Sequence, residues 1–141
     1  MHEERRKVSS VEETWSAARE FASHLVAGDI IRLEGDLGAG KTTFVQGLAA
    51  ALGAKGRVAS PTFCIVREHD ASPNKLVHMD LYRLRSGDDL EAIGWDEYLA
   101  QGAIIAVEWP ERAGQLIPPD AKRVVLEHTA ESDGRFITMR W

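Results

Sequence analysis

The 141-residue sequence has little of what marks secreted or membrane-spanning proteins. Its one cysteine, Cys64, cannot form a disulfide within the chain, which excludes a disulfide-stapled extracellular scaffold. The longest apolar runs, such as Ala103 to Val107, are far shorter than the ~20 residues that a membrane helix needs. No apolar stretch follows the charged amino terminus, so no signal peptide is predicted. We therefore expect a soluble, cytoplasmic protein.

Basic residues are also in short supply. The chain has 17 lysines and arginines against 22 acidic residues, a formal net charge of −5. Binding to nucleic-acid phosphates needs clustered Lys and Arg, and the only dense cluster is Arg5-Arg6-Lys7. We interpret this cluster as a solvated terminal tail, within a flexible or edge segment at residues 1–9. The hydrophobic fraction of 44% is typical of a globular protein, and the length fits one domain, residues 1–141.

The spacing of apolar residues predicts alternating helices and strands. Ser10 and Glu13 match a capping box, and the helix that they open is expected to end near Val26. A short buried strand at 29–34 is followed by a glycine-rich turn and a helix at 41–52. Further strands are predicted at 58–60, 62–69, 76–82, 103–108, 123–128 and 135–140, and short helices at 88–93 and 95–101. This order indicates a three-layer α/β sandwich with a central mixed β-sheet.

Residues 35–42 read Gly-Asp-Leu-Gly-Ala-Gly-Lys-Thr, the complete P-loop or Walker A pattern. The pattern lies between a predicted strand and a predicted helix, so that backbone N–H groups can face phosphates at the helix amino terminus. Lys41 is predicted to reach the β- and γ-phosphates, Thr42 to ligate Mg²⁺, and Thr43 to approach the α-phosphate. The predicted nucleotide contacts are Gly35, Asp36, Gly38, Ala39, Gly40, Lys41, Thr42 and Thr43. The fold is thus expected to be like that of P-loop NTPases.

Two predicted strands carry a carboxylate after a largely apolar run, Asp80 after 76–79 and Glu108 after 103–107. P-loop enzymes need such an acid for the metal or for the attacking water. We place Glu108 on the Mg²⁺ side and Asp80 beside the water, although the two roles could be exchanged. Lys41, Asp80 and Glu108 are the predicted catalytic residues. His78 is interpreted as a structural residue of its strand.

Several kinds of P-loop protein are disfavoured. The segment Asn74-Lys75-Leu76-Val77 lacks the aspartate that reads guanine, which disfavours a GTPase, and no Leu-Ser-Gly-Gly-Gln stretch of ABC transporters is present. Arg83 and Arg85 are the nearest candidates for the arginine-bearing lid of a small-molecule kinase, but their segment leaves little room to cover a second substrate. A kinase is therefore kept only as the second alternative. A nucleotide-responsive binding module that never hydrolyses ATP is a third.

Four segments in order resemble the TsaE family, formerly YjeE, the P-loop ATPases of bacterial tRNA threonylcarbamoyladenosine synthesis. They are Gly-Asp-Leu-Gly-Ala-Gly-Lys-Thr-Thr-Phe at 35–44, Ser-Pro-Thr-Phe at 60–63, His-Met-Asp-Leu-Tyr-Arg-Leu at 78–84 and Val-Glu-Trp-Pro-Glu at 107–111. The first segment is shared with many NTPases, whereas the other three together are close to diagnostic. The resemblance covers residues 10–137.

The resemblance implies a Mg²⁺-dependent ATPase that docks on the TsaB–TsaD heterodimer and supports its repeated turnover, with tRNA involved through that complex. Slow hydrolysis by the chain alone is expected because no arginine is evidently placed as a finger in cis. The resemblance also implies a switch-I-like loop at Ser60, Pro61 and Thr62, and a second switch that includes Tyr82 and Arg83.

The resemblance implies that Trp109 lies near the nucleotide, and that Val11, Thr14 and Arg135 flank the base. Tyr82, Arg83 and Trp95 are candidates for the docking surface.

Overall fold

A β-sheet forms the centre of the fold in the computed structural model, which describes residues 2–36, 39–54, 66–84, 91, 94–130 and 134–141. The strands in these ranges are β1 (Glu3–Val8), β2 (Ile30–Gly35), β3 (Val66–His69), β4 (Leu76–Asp80), β5 (Ile104–Glu108), β6 (Lys122–His128) and β7 (Arg135–Arg140). The helices are α1 (Val11–Ala22), α2 (Lys41–Ala51) and α3 (Trp95–Ala100), and a 3-10 segment spans Pro110–Leu116. No helix among the described residues is long and apolar enough to cross a membrane.

The strands run in the order β1-β7-β6-β2-β5-β4-β3. The central strands β6, β2, β5 and β4 are mutually parallel, whereas β7 and β1 at one edge and β3 at the other pair antiparallel to their neighbours. The carboxyl ends of the parallel strands therefore meet at one edge of the sheet. Binding sites of open α/β sheets lie outside this edge.

Helices cover both faces of the sheet. On one face, α1 and α2 pack over a core that includes Phe21, Phe44 and Ile31. On the other face, α3 and the 3-10 segment contribute Trp95 and Ala113 to a second core. Strand β5 is buried along its whole length because its side chains alternate between the two cores. The predicted three-layer sandwich with a mixed sheet is confirmed.

The capping box of α1 is present as predicted. Ser10 Oγ accepts a hydrogen bond of 3.1 Å from the Glu13 backbone N–H, and Glu13 Oε1 accepts one of 3.1 Å from the Ser9 N–H. The helix ends at Ala22, earlier than the expected end near Val26. The physical reason is that the N–H groups of His24 and Leu25 donate to carbonyls three residues back rather than four, and the Val26 N–H then donates to the Asp29 carboxylate at 2.7 Å.

Residues 3–8 form an edge strand, one of the two alternatives expected for the amino-terminal segment. Within the basic cluster, the Arg5 guanidinium lies 3.9 Å from the centroid of the Phe136 ring, and Arg6 pairs with Glu4. The cluster is thus part of the sheet, and its interpretation as a solvated tail is wrong. The predicted strand at 58–60, residues 62–65 of the next strand and nearly all of the predicted helix at 88–93 lie outside the described residues.

Candidate functional site

The turn between β2 and α2 begins at a glycine that no other residue can replace without movement. Gly35 has a φ of +153°, and a Cβ added to it would lie 2.6 Å from the backbone oxygen of Leu126 on β6. Gly40, with a φ of +100°, caps the amino end of α2 in the left-handed conformation. Two glycines therefore set the path of the backbone at the carboxyl edge of the sheet. Gly38 of the same motif lies outside the described residues.

The amino end of α2 lacks the features that complete the amino end of α1. Helix α1 has a side-chain cap and two acidic residues in its first turn, whereas α2 has no capping side chain and no acidic residue there. The first N–H groups of a helix have no partner within the helix, and the helix dipole adds positive potential at this end. The start of α2 is therefore suited to an anionic ligand such as phosphate. Lys41, Thr42 and Thr43 form this first turn.

Lys41 folds back across the turn and joins it to the sheet. Its Nζ donates a hydrogen bond of 2.8 Å to the Gly35 carbonyl oxygen and lies 3.3 Å from Oε1 of Glu108. The same ammonium group is 6.0 Å from the centroid of the Trp109 ring. The structure thus brings the predicted P-loop lysine together with one of the two predicted carboxylates.

Glu108 is held from two sides at the end of β5. Its Oε2 accepts a hydrogen bond of 2.6 Å from Nε2 of His78, and its Oε1 faces Lys41. Burial raises the pKa of the Glu108 carboxyl, but the hydrogen bond with His78 and the positive charge of Lys41 outweigh burial, and the pKa lies below its ordinary value. The site therefore keeps an ionised carboxylate that is only 7% exposed.

Asp80 lies directly beside Glu108 because the two residues are register partners at the ends of the parallel strands β4 and β5. Its Oδ1 accepts a hydrogen bond of 3.0 Å from the Tyr82 backbone N–H, which fixes the turn that follows β4. Asp80 is half-buried, unlike Glu108. The two acids thus occupy one edge of the sheet in different environments, and Asp80 is the more open to solvent.

An aromatic pair lies at the open side of the site. The rings of Tyr82 and Trp109 are 4.9 Å apart, and these side chains are 54% and 39% exposed. The guanidinium of Arg112 lies 5.9 Å from the Tyr82 ring centroid. Trp109 has a φ of +56°, a left-handed conformation that is strained for a bulky residue. The chain thus turns sharply after β5 and leaves the indole beside Lys41.

The residues predicted to contact the base differ in exposure and in their contacts. Val11 at the start of α1 is exposed, and Arg135 begins β7 at the same sheet edge as Gly35. The Val8–Arg135 pairing brings the start of α1 to that edge as well. Thr14 is buried, and its hydroxyl donates to the Ser10 carbonyl oxygen at 3.2 Å. The Thr14 hydroxyl is therefore already engaged in a hydrogen bond at the start of α1.

Other predicted residues divide into three groups. Arg83 is exposed like Tyr82, as a docking residue must be. Trp95 is 2% exposed and packs in the second core, so its assignment to a docking surface is wrong. Its place at the first turn of α3 aims the indole at the sheet. The predicted switch residues Ser60, Pro61 and Thr62 lie outside the described residues.

Two residues at the site were missed by sequence reasoning. His78 touches Glu108, although it was interpreted as purely structural, and Arg112 was not singled out. The available signal for His78 was its position two residues before Asp80 on one strand, which places both side chains on one face of the sheet.

Comparisons with known proteins agree with this architecture. The family described as "Threonylcarbamoyl adenosine biosynthesis protein TsaE" matches residues 8–137. The chain is 40% identical over 127 residues to the tRNA threonylcarbamoyladenosine biosynthesis protein TsaE of Bacillus subtilis (strain 168), which covers 90% of this chain and 78% of that protein. It is 45% identical over 107 residues to the protein of the same name from Aquifex aeolicus (strain VF5), which covers 74% of this chain and 75% of that one.

A solved structure extends the likeness to three dimensions. The crystal structure of Bacillus subtilis YdiB superposes with a TM-score of 0.80 at 33% identity, and the match covers 98% of this chain and 84% of that one. The chain therefore belongs to the TsaE family, whose members take part in the biosynthesis of threonylcarbamoyladenosine in tRNA.

Proposed function

We propose that this protein is a Mg²⁺-dependent ATPase that binds ATP at the turn between β2 and α2 and supports repeated turnover of the TsaB–TsaD complex in tRNA modification. The observation that carries the proposal is the contact of 3.3 Å between Lys41 Nζ and the buried Glu108 carboxylate beside the uncapped start of α2. An ammonium group, a carboxylate and a helix amino terminus at one sheet edge are what triphosphate and a divalent cation require. The proposal places the protein in the cytoplasm with tRNA.

The described residues fit a magnesium ion that is held jointly by protein and nucleotide. No cluster of three or more His, Cys, Asp or Glu side chains that could hold a metal is found among them. Magnesium at nucleotide sites needs only one or two protein oxygen ligands besides phosphate and water. Thr42 at the start of α2 and the ionised Glu108 would hold the ion. When bound, Mg²⁺ neutralises phosphate charge during phosphoryl transfer.

The residues of the site have separate roles in this proposal. Lys41 leaves the Gly35 carbonyl and Glu108 to contact the β- and γ-phosphates, while the amino end of α2 binds phosphate oxygens. Asp80, the more open of the two acids, orients the attacking water. Within the described residues, Lys41 and Glu108 form hydrogen bonds and ion pairs with Gly35, with His78 and with each other, and none of these partners is an arginine. Slow hydrolysis in the absence of partners follows, because an arginine finger contributes about 10³–10⁵ in rate.

The surface around Tyr82 and Trp109 is the face through which the partner complex senses the nucleotide. The Trp109 ring links this face to Lys41, and Arg112 extends it on the other side of Tyr82. A change at the phosphates would thus reach the exposed aromatic side chains through two contacts, from Lys41 to the Trp109 ring and from that ring to Tyr82. Tyr82, Arg83 and Trp109 are the docking residues of the proposal.

The test is ATP hydrolysis by the purified chain, alone and with TsaB–TsaD and tRNA. Lys41→Ala removes the proposed phosphate contact. Lys75→Ala is the matched control, because Lys75 forms its ion pair with Glu68 on β3 rather than with Glu108; its Nζ lies 2.6 Å from Glu68 Oε1. We expect stimulation by the complex that Lys41→Ala abolishes and Lys75→Ala retains. Phosphate transfer to a small molecule would instead establish a kinase. ATP binding without hydrolysis under every condition would establish a nucleotide-responsive binding module.

A further inference from the structure

The contact between His78 and Glu108 is the most buried polar interaction of the site. His78 is fully buried, and its Nε2 lies 2.6 Å from Glu108 Oε2. Glu108 is ion-paired with Lys41 at 3.3 Å, and a carboxylate only accepts hydrogen bonds, so Nε2 carries the hydrogen of this bond. The distance is short, as expected for a charge-assisted hydrogen bond. Glu108 is thus anchored by a donor that solvent does not reach.

The backbone that carries His78 is fixed on both sides. His78 is paired with Ala106 on β5 and with Arg67 on β3, so β4 is an interior strand at this position. The two contacts of Glu108 therefore differ in kind. One comes from a long lysine side chain that the proposed function requires to move, and the other from a short ring on a strand that has no freedom to move.

We propose that His78 is a positioning residue that holds the Glu108 carboxylate in place for Mg²⁺ when Lys41 turns to the phosphates. The inference rests on the proposed function, since it concerns the metal side of that same site. Once Lys41 leaves Oε1, the contact at Oε2 with His78 is what remains, within the part of the chain that the structure describes, to keep the carboxylate in its present orientation. Loss of such a hydrogen bond behind a metal ligand typically costs about 10–100-fold in metal affinity or activity.

The measurement is the affinity for ATP by calorimetry, once with Mg²⁺ and once with EDTA. The ratio of the two dissociation constants reports how much the cation strengthens nucleotide binding. His78→Leu removes the donor, and we expect this ratio to fall about tenfold or more while the affinity in EDTA changes by less than about threefold. His78→Gln keeps an N–H near the Nε2 position and is expected to recover most of the ratio. A loss of affinity that is equal with and without Mg²⁺ would overturn the inference.

A double-mutant cycle separates action through Glu108 from a general effect on packing. In the Glu108→Gln background, His78→Leu is expected to change the ratio by less than about twofold, because the ligand that it positions is already altered. An equal fall in both backgrounds would refute the positioning role. His69→Leu is the control, since His69 is also buried on the neighbouring strand β3 and its Nε2 has no hydrogen-bond partner among the described residues. It should leave the ratio unchanged.

Thermal unfolding monitored by circular dichroism shows which variants fold. If His78→Leu does not fold, His78→Asn replaces it, since the shorter amide does not reach Glu108. We then expect His78→Gln to exceed His78→Asn in the ratio, and equal ratios would overturn the inference. Failure of the proposed function gives a different result, namely no ATP binding by the unaltered protein or equal binding by Lys41→Ala. ATP binding with an additive cycle would refute only the role of His78.

Discussion

Replacing Gly35 by alanine tests how the turn before α2 is built. The added methyl group would lie 2.6 Å from the Leu126 backbone oxygen, closer than real Cβ atoms come to other heavy atoms. The oxygen belongs to β6, which pairs with β2 at this position, so it cannot rotate away as a flexible side chain would. Either β2 separates from β6 at its end or Gly35 leaves its present backbone conformation.

The expected cost has two parts. A strained backbone conformation at a residue with a Cβ costs about 1–3 kcal/mol. Weakening one hydrogen bond of the β2–β6 ladder adds about 1 kcal/mol. We therefore expect Gly35→Ala to lower the free energy of unfolding by about 2–4 kcal/mol. It should also weaken ATP binding, because the Gly35 carbonyl that holds Lys41 must move.

Urea unfolding followed by circular dichroism measures the first effect. Gly40→Ala is the matched control, because its φ of +100° is strained but its added Cβ would meet only the Leu126 side chain at an ordinary 3.6 Å. The control should cost about 1–2 kcal/mol, from backbone strain alone. Equal losses in the two variants would show that contact with the β6 backbone does not matter. A Gly35→Ala protein as stable as the unaltered chain would refute the reasoning altogether.

Three further outcomes are expected. Gly47→Ala should lower the free energy of unfolding by about 1 kcal/mol, because the cost of overpacking exceeds the gain in helix propensity. Its added Cβ would lie 2.9 Å from Trp15 Cδ1 and 3.0 Å from Trp15 Cα. A stabilised variant in urea unfolding would contradict this. Because the folded-state pKa of Glu108 is lowered, its ionisation stabilises the fold above the ordinary value of 4.5, and this contribution is lost as the pH falls below that value. The stability advantage over Glu108→Gln should therefore shrink as the pH is lowered below 4.5, and a pH-independent difference would disprove it. ATP binding is expected to change the tryptophan fluorescence through Trp109, whose ring centroid lies 6.0 Å from Lys41 Nζ, and Trp109→Phe should abolish this change. An unaltered signal would show that another tryptophan reports the binding.

The local parts of the site were predictable from sequence, whereas the contacts between them were not. The turn at residues 35–42 was found because a phosphate-binding loop needs glycines in sequence and a helix directly after them. That Asp80 and Glu108 lie at the same end of the sheet was also within reach, since both follow apolar runs of predicted strands. The pairing of Lys41 and His78 with Glu108 depends on which strands are neighbours, and apolar periodicity does not encode that order. The same limit explains Trp95, because a tryptophan at a helix start can face either a core or solvent.

The charge balance of the site connects its stability with its proposed cycle. Glu108 and Lys41 neutralise each other in the structure, and His78 adds the hydrogen bond that a buried carboxylate needs. In the proposed cycle, the negative phosphates of ATP would attract Lys41 away, which would leave Glu108 facing further negative charge. A divalent cation removes that repulsion, so phosphate and cation should each bind better in the presence of the other. Such coupling is reciprocal, and under the proposed function it would let a site with one buried carboxylate and one lysine remain stable without ligand and still take up ATP together with Mg²⁺.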